Sequence, residues 1–159
     1  MIKKESSLIS DYLKVGVIFL SMVMPICCIA ISGEILKSLS AYWNTPAQPI
    51  FIITNAAVSY FLFSIKEWRI SSFLLLLITA FSINFFENVH NILAVLFFLL
   101  NLYPLYKNKR SRKYIIPYIS FSFLLFFGLL WYEIAAIYTL GVHHLEMMVL
   151  KIRMKKIRS

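Results

Sequence analysis

The feature that most constrains this chain is the spacing of its charges. Lysine and arginine come in small clusters: Lys3, Lys4 and Lys14; Lys66 and Arg69; Lys107, Lys109, Arg110, Arg112 and Lys113; and Lys151, Arg153, Lys155, Lys156 and Arg158. Between them lie long apolar runs at 13–32, 49–65, 70–86, 89–106 and 114–150, whose only charged residues are Lys14, Glu133 and Glu146. A helix rises about 1.5 Å per residue, so a run of about 20 residues crosses the ~30 Å hydrocarbon layer of a bilayer. Repeated runs of that length, punctuated by basic clusters, predict an all-α polytopic membrane helix bundle. Composition agrees. Of 159 residues, 60% are hydrophobic and only 14% charged, well above the ~45–50% apolar content of soluble domains.

The first run contains Pro25, a kink position, and the adjacent Cys27 and Cys28, which read as buried small residues. Ala30-Ile31-Ser32 has the small-x-small form of a signal-cleavage site. The run is longer than a usual signal core and further spans follow, so it reads as retained.

The number of spans depends on 114–150. One helix of 37 residues would be about 55 Å long, nearly twice the hydrocarbon thickness. Two spans turning near Trp131-Tyr132-Glu133 fit better. With six spans, every basic residue except Lys37 falls on one side; with five, the fallback, the C-terminal cluster falls on the other. The positive-inside rule selects six, with both termini cytoplasmic. The expected layout is a cytoplasmic arm at 1–12, a six-span domain at 13–150 and a basic cytoplasmic tail at 151–159, in the cytoplasmic (inner) membrane. The net charge of +9 therefore reads as topology and lipid contact, and nucleic acid is not an expected partner.

This topology collects polar residues on the outer side. The 33–48 connection supplies Ser38, Ser40, Tyr42 and Trp43. The polar break at 87–91, expected to turn the chain at Glu87-Asn88, supplies Glu87, His90 and Asn91, and the last turn supplies Glu133. Glu87 and His90 are three apart and can share a helix face. An acid–histidine pair at a helix start can be a cap, a proton relay or half of a metal site. His143, His144 and Glu146 lie further along the last span, at a deeper level, and read as intramembrane polar groups bonding between spans. No nucleotide-binding, serine-hydrolase, zinc-protease or Cys/His zinc pattern is present, so no cofactor or metal is expected.

The outer-loop Ser38-x-Ser40-x-Tyr42-Trp43-x-Thr45, the span-four His90-Asn91-x-x-Ala94-x-x-Phe97-Phe98 and Glu133 at the opening of the last span resemble a six-span membrane family. It includes the damage-regulated autophagy modulators and the Sfk/Frag proteins, and the chain looks closer still to uncharacterised bacterial six-span relatives. The resemblance extends over roughly residues 33–146. It implies a six-span topology and no established reaction.

Three function classes follow. The leading one is a non-catalytic lipid- or small-molecule-binding or accessory protein. The second is an intramembrane lipid hydrolase using Glu87, His90 and Glu133. The third is an oligomeric transporter or channel working at the level of His143 and Glu146. Expected partners are membrane lipids and either a membrane-protein partner or further copies of the chain.

Overall fold

The computed structural model describes residues 2–81 and 83–157, with side chains described over 10–81 and 86–157. Lys3, Lys4 and Arg158 of the terminal basic clusters fall outside the described side chains. All regular structure among the described residues is helical.

Helix α1 (Ile2–Ser32) carries the expected arm and first apolar run as one unit. It ends at Gly33, whose φ of 73° is the left-handed cap conformation glycine adopts at least cost. The Gly33 N–H donates back to the Ile29 carbonyl at 2.9 Å. After a 3₁₀ segment (Leu39–Asn44), α2 (Gln48–Phe63) starts with Pro49 in its first turn, where the missing N–H costs nothing. Helix α3 (Arg69–Ala80) returns antiparallel to α2. Two buried serines fix that pair: Ser59 Oγ donates to the Ser72 carbonyl at 3.2 Å, and Ser72 Oγ to the Ser59 carbonyl at 2.7 Å.

Helix α4 (Ile83–Leu100) follows, with a non-helical residue at Phe86 (φ −139°, ψ 43°), and α5 (Leu102–Lys107) continues it beyond Asn101. The basic segment leads into α6 (Ile115–Ser120), extended by a 3₁₀ segment (Phe121–Phe126). The chain reverses at Gly128, φ 128°, into α7 (Leu129–Ile157). Helices α1 and α7 pack antiparallel. Near the start of α1, the buried Asp11 accepts from Lys151 Nζ of α7 at 2.9 Å and also pairs with Lys155.

Two expected turns move. The third helix stops at Ala80 and the straight part of the fourth begins only at the Phe86 break, so the reversal is complete before Glu87-Asn88. Glu87 instead opens the regular part of α4 beyond the Phe86 break, where a carboxylate suits the positive end of the helix dipole. The last reversal falls at Gly128 and not at Trp131-Tyr132-Glu133, because only a glycine takes that positive φ without strain. Glu133 is consequently inside α7, one turn past its start. The division of 114–150 into two helical stretches holds.

Apolar side chains pack the interior but also cover much of the surface, and several polar ones are placed inside. Phe19, Ile53, Phe73, Ile92, Val95 and Ile116 are each more than half exposed, although they sit within helices. Thr54, Asn55, Ser59, Ser72, Thr79 and Asn101 are buried between helices. Two helical stretches, Ser10–Ser32 and Phe86–Lys107, are long and apolar enough to cross a membrane.

Candidate binding site

The 33–48 connection is fastened over the start of α7. The first N–H groups of a helix have no partner within it, and here Leu130 N–H donates to the Lys37 carbonyl at 3.0 Å. In return, the Leu39 N–H donates to Glu133 Oε2 at 2.7 Å, a bond across 94 residues of sequence. Tyr42 pins the same connection from within. Its hydroxyl donates to the Glu34 carbonyl at 2.9 Å and accepts from the Leu36 N–H at 3.2 Å, with the ring wholly buried. Trp43 packs edge-on against Phe51 of α2, with ring centroids 6.4 Å apart. Ser38 and Ser40 share a hydroxyl–hydroxyl bond of 3.0 Å.

Beneath this connection, between α1, α2, α3, α4 and α7, lies a cavity of about 120 Å³. Its walls are chiefly apolar, with Met24, Phe51, Leu75, Ala94 and Ile137 among them. Ser40, His90 and Glu133 are on its lining, as are Asn55 and His144. His90 is buried at the α3–α4 reversal, and its Nδ1–H donates to the Phe81 carbonyl at 2.8 Å. A carbonyl can only accept, so this bond fixes the tautomer and leaves Nε2 as an acceptor in the neutral ring. Glu133 has one oxygen on Leu39 and no other hydrogen-bond partner among the described residues.

The structure therefore divides the expected outer cluster. Ser40, His90 and Glu133 meet on one cavity. Glu87 and Asn91 are exposed on α4 and are not on its lining. Ser38, Tyr42 and Trp43 hold the connection that covers it. No group of three histidine, cysteine or acidic side chains among the described residues is arranged to hold a metal ion.

The deeper trio divides as well. His144 lines the same cavity as Glu133, eleven residues and about 16 Å further along α7. His143 Nε2 bonds Ser111 Oγ at 2.7 Å, and both imidazoles pack against Trp68, at centroid distances of 5.8 and 4.5 Å. Glu146 belongs with the basic segment. It accepts from the Tyr114 hydroxyl at 2.5 Å and pairs with Lys113 at 2.7 Å and Arg110 at 3.6 Å. The bonds from Lys113 and Tyr114 hold its carboxyl down at about 2.

Sequence reasoning passed over Trp68, Asn55 and Asp11. Asn55 carried a usable signal, since it is a lone amide in the apolar run 49–65. Asp11 carried a weaker one, as an acid just before the first run. Comparisons with protein-family models, curated proteins and solved structures return no match.

Proposed function

We propose that the chain is a six-span protein of the cytoplasmic membrane that binds a neutral single-chain amphiphile. The tail enters the central cavity and a hydroxyl head meets Ser40, His90 and Glu133. The observation that carries this reading is the cavity itself: apolar walls, with an acceptor nitrogen, a hydroxyl and a carboxyl with one oxygen unpaired on the same lining. Sites for small amphiphilic molecules are mostly apolar with a few placed polar groups. The volume, about 120 Å³, is near the ~150 Å³ of an apolar cavity that takes up benzene, so it suits a ring or a short alkyl segment.

The membrane placement draws support from the exposed mid-helix apolar residues, from the buried polar ones and from the resemblance of the outer-loop and His90 motifs. The hydrolase reading retains His90 and Glu133 but loses Glu87, so two of its three groups remain. The binding reading needs no third.

The test is binding of monodecanoylglycerol to the detergent-purified protein, followed by the shift in thermal midpoint and by calorimetry. Saturable binding is expected. Ala94→Phe, which fills the cavity from α4, should abolish it, and Glu133→Ala should weaken it by about tenfold, the effect of losing one hydrogen bond to a buried group. Binding that is absent, or unchanged in Ala94→Phe, overturns the proposal. Release of decanoate by the wild type would instead establish the hydrolase.

A further inference from the structure

A second chamber, of about 400 Å³, lies at the basic end of the bundle. Its volume is within the ~300–1,000 Å³ range of small-molecule sites. Trp68 and His144 line both this chamber and the central cavity, so they form the partition between the two. Around the chamber stand Ser111 and His143, with Pro104 and Met147 as apolar wall.

Two nitrogens mark it as more than a packing gap. His143 Nδ1 and His144 Nε2 are buried without a hydrogen-bond partner, and both residues are on this lining. Their side chains belong to residues only 4% and 6% exposed. Buried polar atoms in folded proteins are nearly always paired, and an orphan calls for a partner from outside the chain.

The charges around the chamber indicate the character of that partner. Glu67 and Lys107 are both on the lining, both exposed and of opposite sign. Of the other cations of the basic segment, Lys113 and Arg110 pair with Glu146 and Arg112 with the Tyr106 carbonyl and ring, and none of these, nor Lys109, is on the lining. The buried floor is imidazole, indole and hydroxyl. Such a site offers no net charge to an anion or a cation. It offers aromatic and apolar surface, and two of its lining residues carry buried, unpaired nitrogens.

We propose that this chamber binds a neutral planar molecule carrying ring oxygens, of the quinone or phenol class, against Trp68 with its oxygens on His143 and His144. The His143–Ser111 bond makes the site suit both members of the class. If Ser111 donates to Nε2, Nδ1 carries the proton and offers it to a quinone carbonyl. If Nε2–H donates to Ser111, Nδ1 is an acceptor for a phenolic O–H. The chamber is separate from the amphiphile site, and the inference does not rest on that reading.

Trp68 is a natural reporter. Trp43→Phe with Trp131→Phe leaves it as the sole tryptophan. This variant is purified in detergent, checked for wild-type helix content by circular dichroism and titrated with a short-chain benzoquinone, with its hydroquinone and with inorganic phosphate. Saturable quenching by the quinone is expected, with affinity reduced by about tenfold in His143→Phe, the usual effect of removing one hydrogen bond to a buried group. Ser111→Ala, a smaller change that keeps both imidazoles, should alter the ratio of quinone to hydroquinone affinity. A control retaining only Trp131 should show linear quenching from detergent partition. Linear quenching of Trp68 as well, or equal affinity in His143→Phe and wild type, overturns the proposal and leaves ordered water as the partner of the two nitrogens. Saturation by phosphate and not by quinone overturns it in favour of an anion site.

Discussion

Gly141 has no side chain because Met22 occupies the space. A Cβ built there would lie 2.6 Å from Met22 Cγ and 2.8 Å from its Sδ, so α1 and α7 cross at a glycine-to-methionine contact. Alanine would gain up to ~1 kcal/mol of helix propensity, offset by the displacement of Met22. Leucine cannot be accommodated by rotating Met22 alone, and overpacking of this kind costs about 1–3 kcal/mol. Gly141→Leu is therefore expected to lower the unfolding midpoint in SDS titration, and Met22→Ala in the same chain to recover part of the loss. Equal midpoints for Gly141→Leu and wild type would mean that the helices are not this close. Glu87 and His90 are three apart, about 60° round a helix, which is enough to straddle the edge of a buried face. His90 falls inside that edge and Glu87 outside it. The histidine's role was legible as a cap or a site residue; the acid's position depended on the Phe86 break, which no residue type announces.

At the scale of elements, the basic segment and α7 are joined through one carboxylate. Glu146 gathers Lys113, Tyr114 and Arg110, and its carboxyl is held at about 2, below the ordinary value of 4.5. A carboxylate whose value falls on folding contributes stability above its unfolded value, and that contribution is lost as pH falls through the folded one. Glu146→Gln should thus lower the thermal midpoint at pH 6, and the gap to wild type should close between about pH 4.5 and pH 2. A gap that is constant across this range would assign the effect to packing and not to charge. Element ends were the least legible part of the sequence. The reversal expected at Trp131-Tyr132-Glu133 lies at Gly128, because the aromatic residues continue α7 while the glycine alone supplies the positive φ. The shift matters for function. It moves Glu133 from a turn to a buried helical position on the cavity wall.

At the scale of the whole molecule, the alternation of apolar runs and basic clusters was the most legible feature, since burial and charge each act over many residues and average out local error. The helical elements follow those runs, and the contacts of Asp11 with Lys151 and of Glu133 with Leu39 set the two ends of the bundle apart. A six-span reading must also accommodate unequal lengths. Helix α3 has 12 residues, about 18 Å, while α1 has 31. Short spans are accommodated by local thinning of the bilayer, at fractions of a kcal/mol per Å. The 3₁₀ extension of α6 lengthens its path at ~2.0 Å per residue, a gain of the same kind. On the six-span reading charge, and not length, sets the expected orientation, and the outcome can be measured. In a chain with Cys27 and Cys28 replaced by alanine, single cysteines at Glu34 and Glu87 should react with a membrane-impermeant maleimide in intact cells. Cysteines at Lys66 and Lys109 should react only after permeabilisation. All four positions are exposed, so access reports the side of the membrane and not burial. Reaction of the 34 and 87 positions from opposite sides would break the six-span reading between α1 and α4, and with it the gathering of Ser40, His90 and Glu133 beneath an outer connection. Labelling of all four in intact cells would reverse the placement of the basic clusters, contrary to the positive-inside rule.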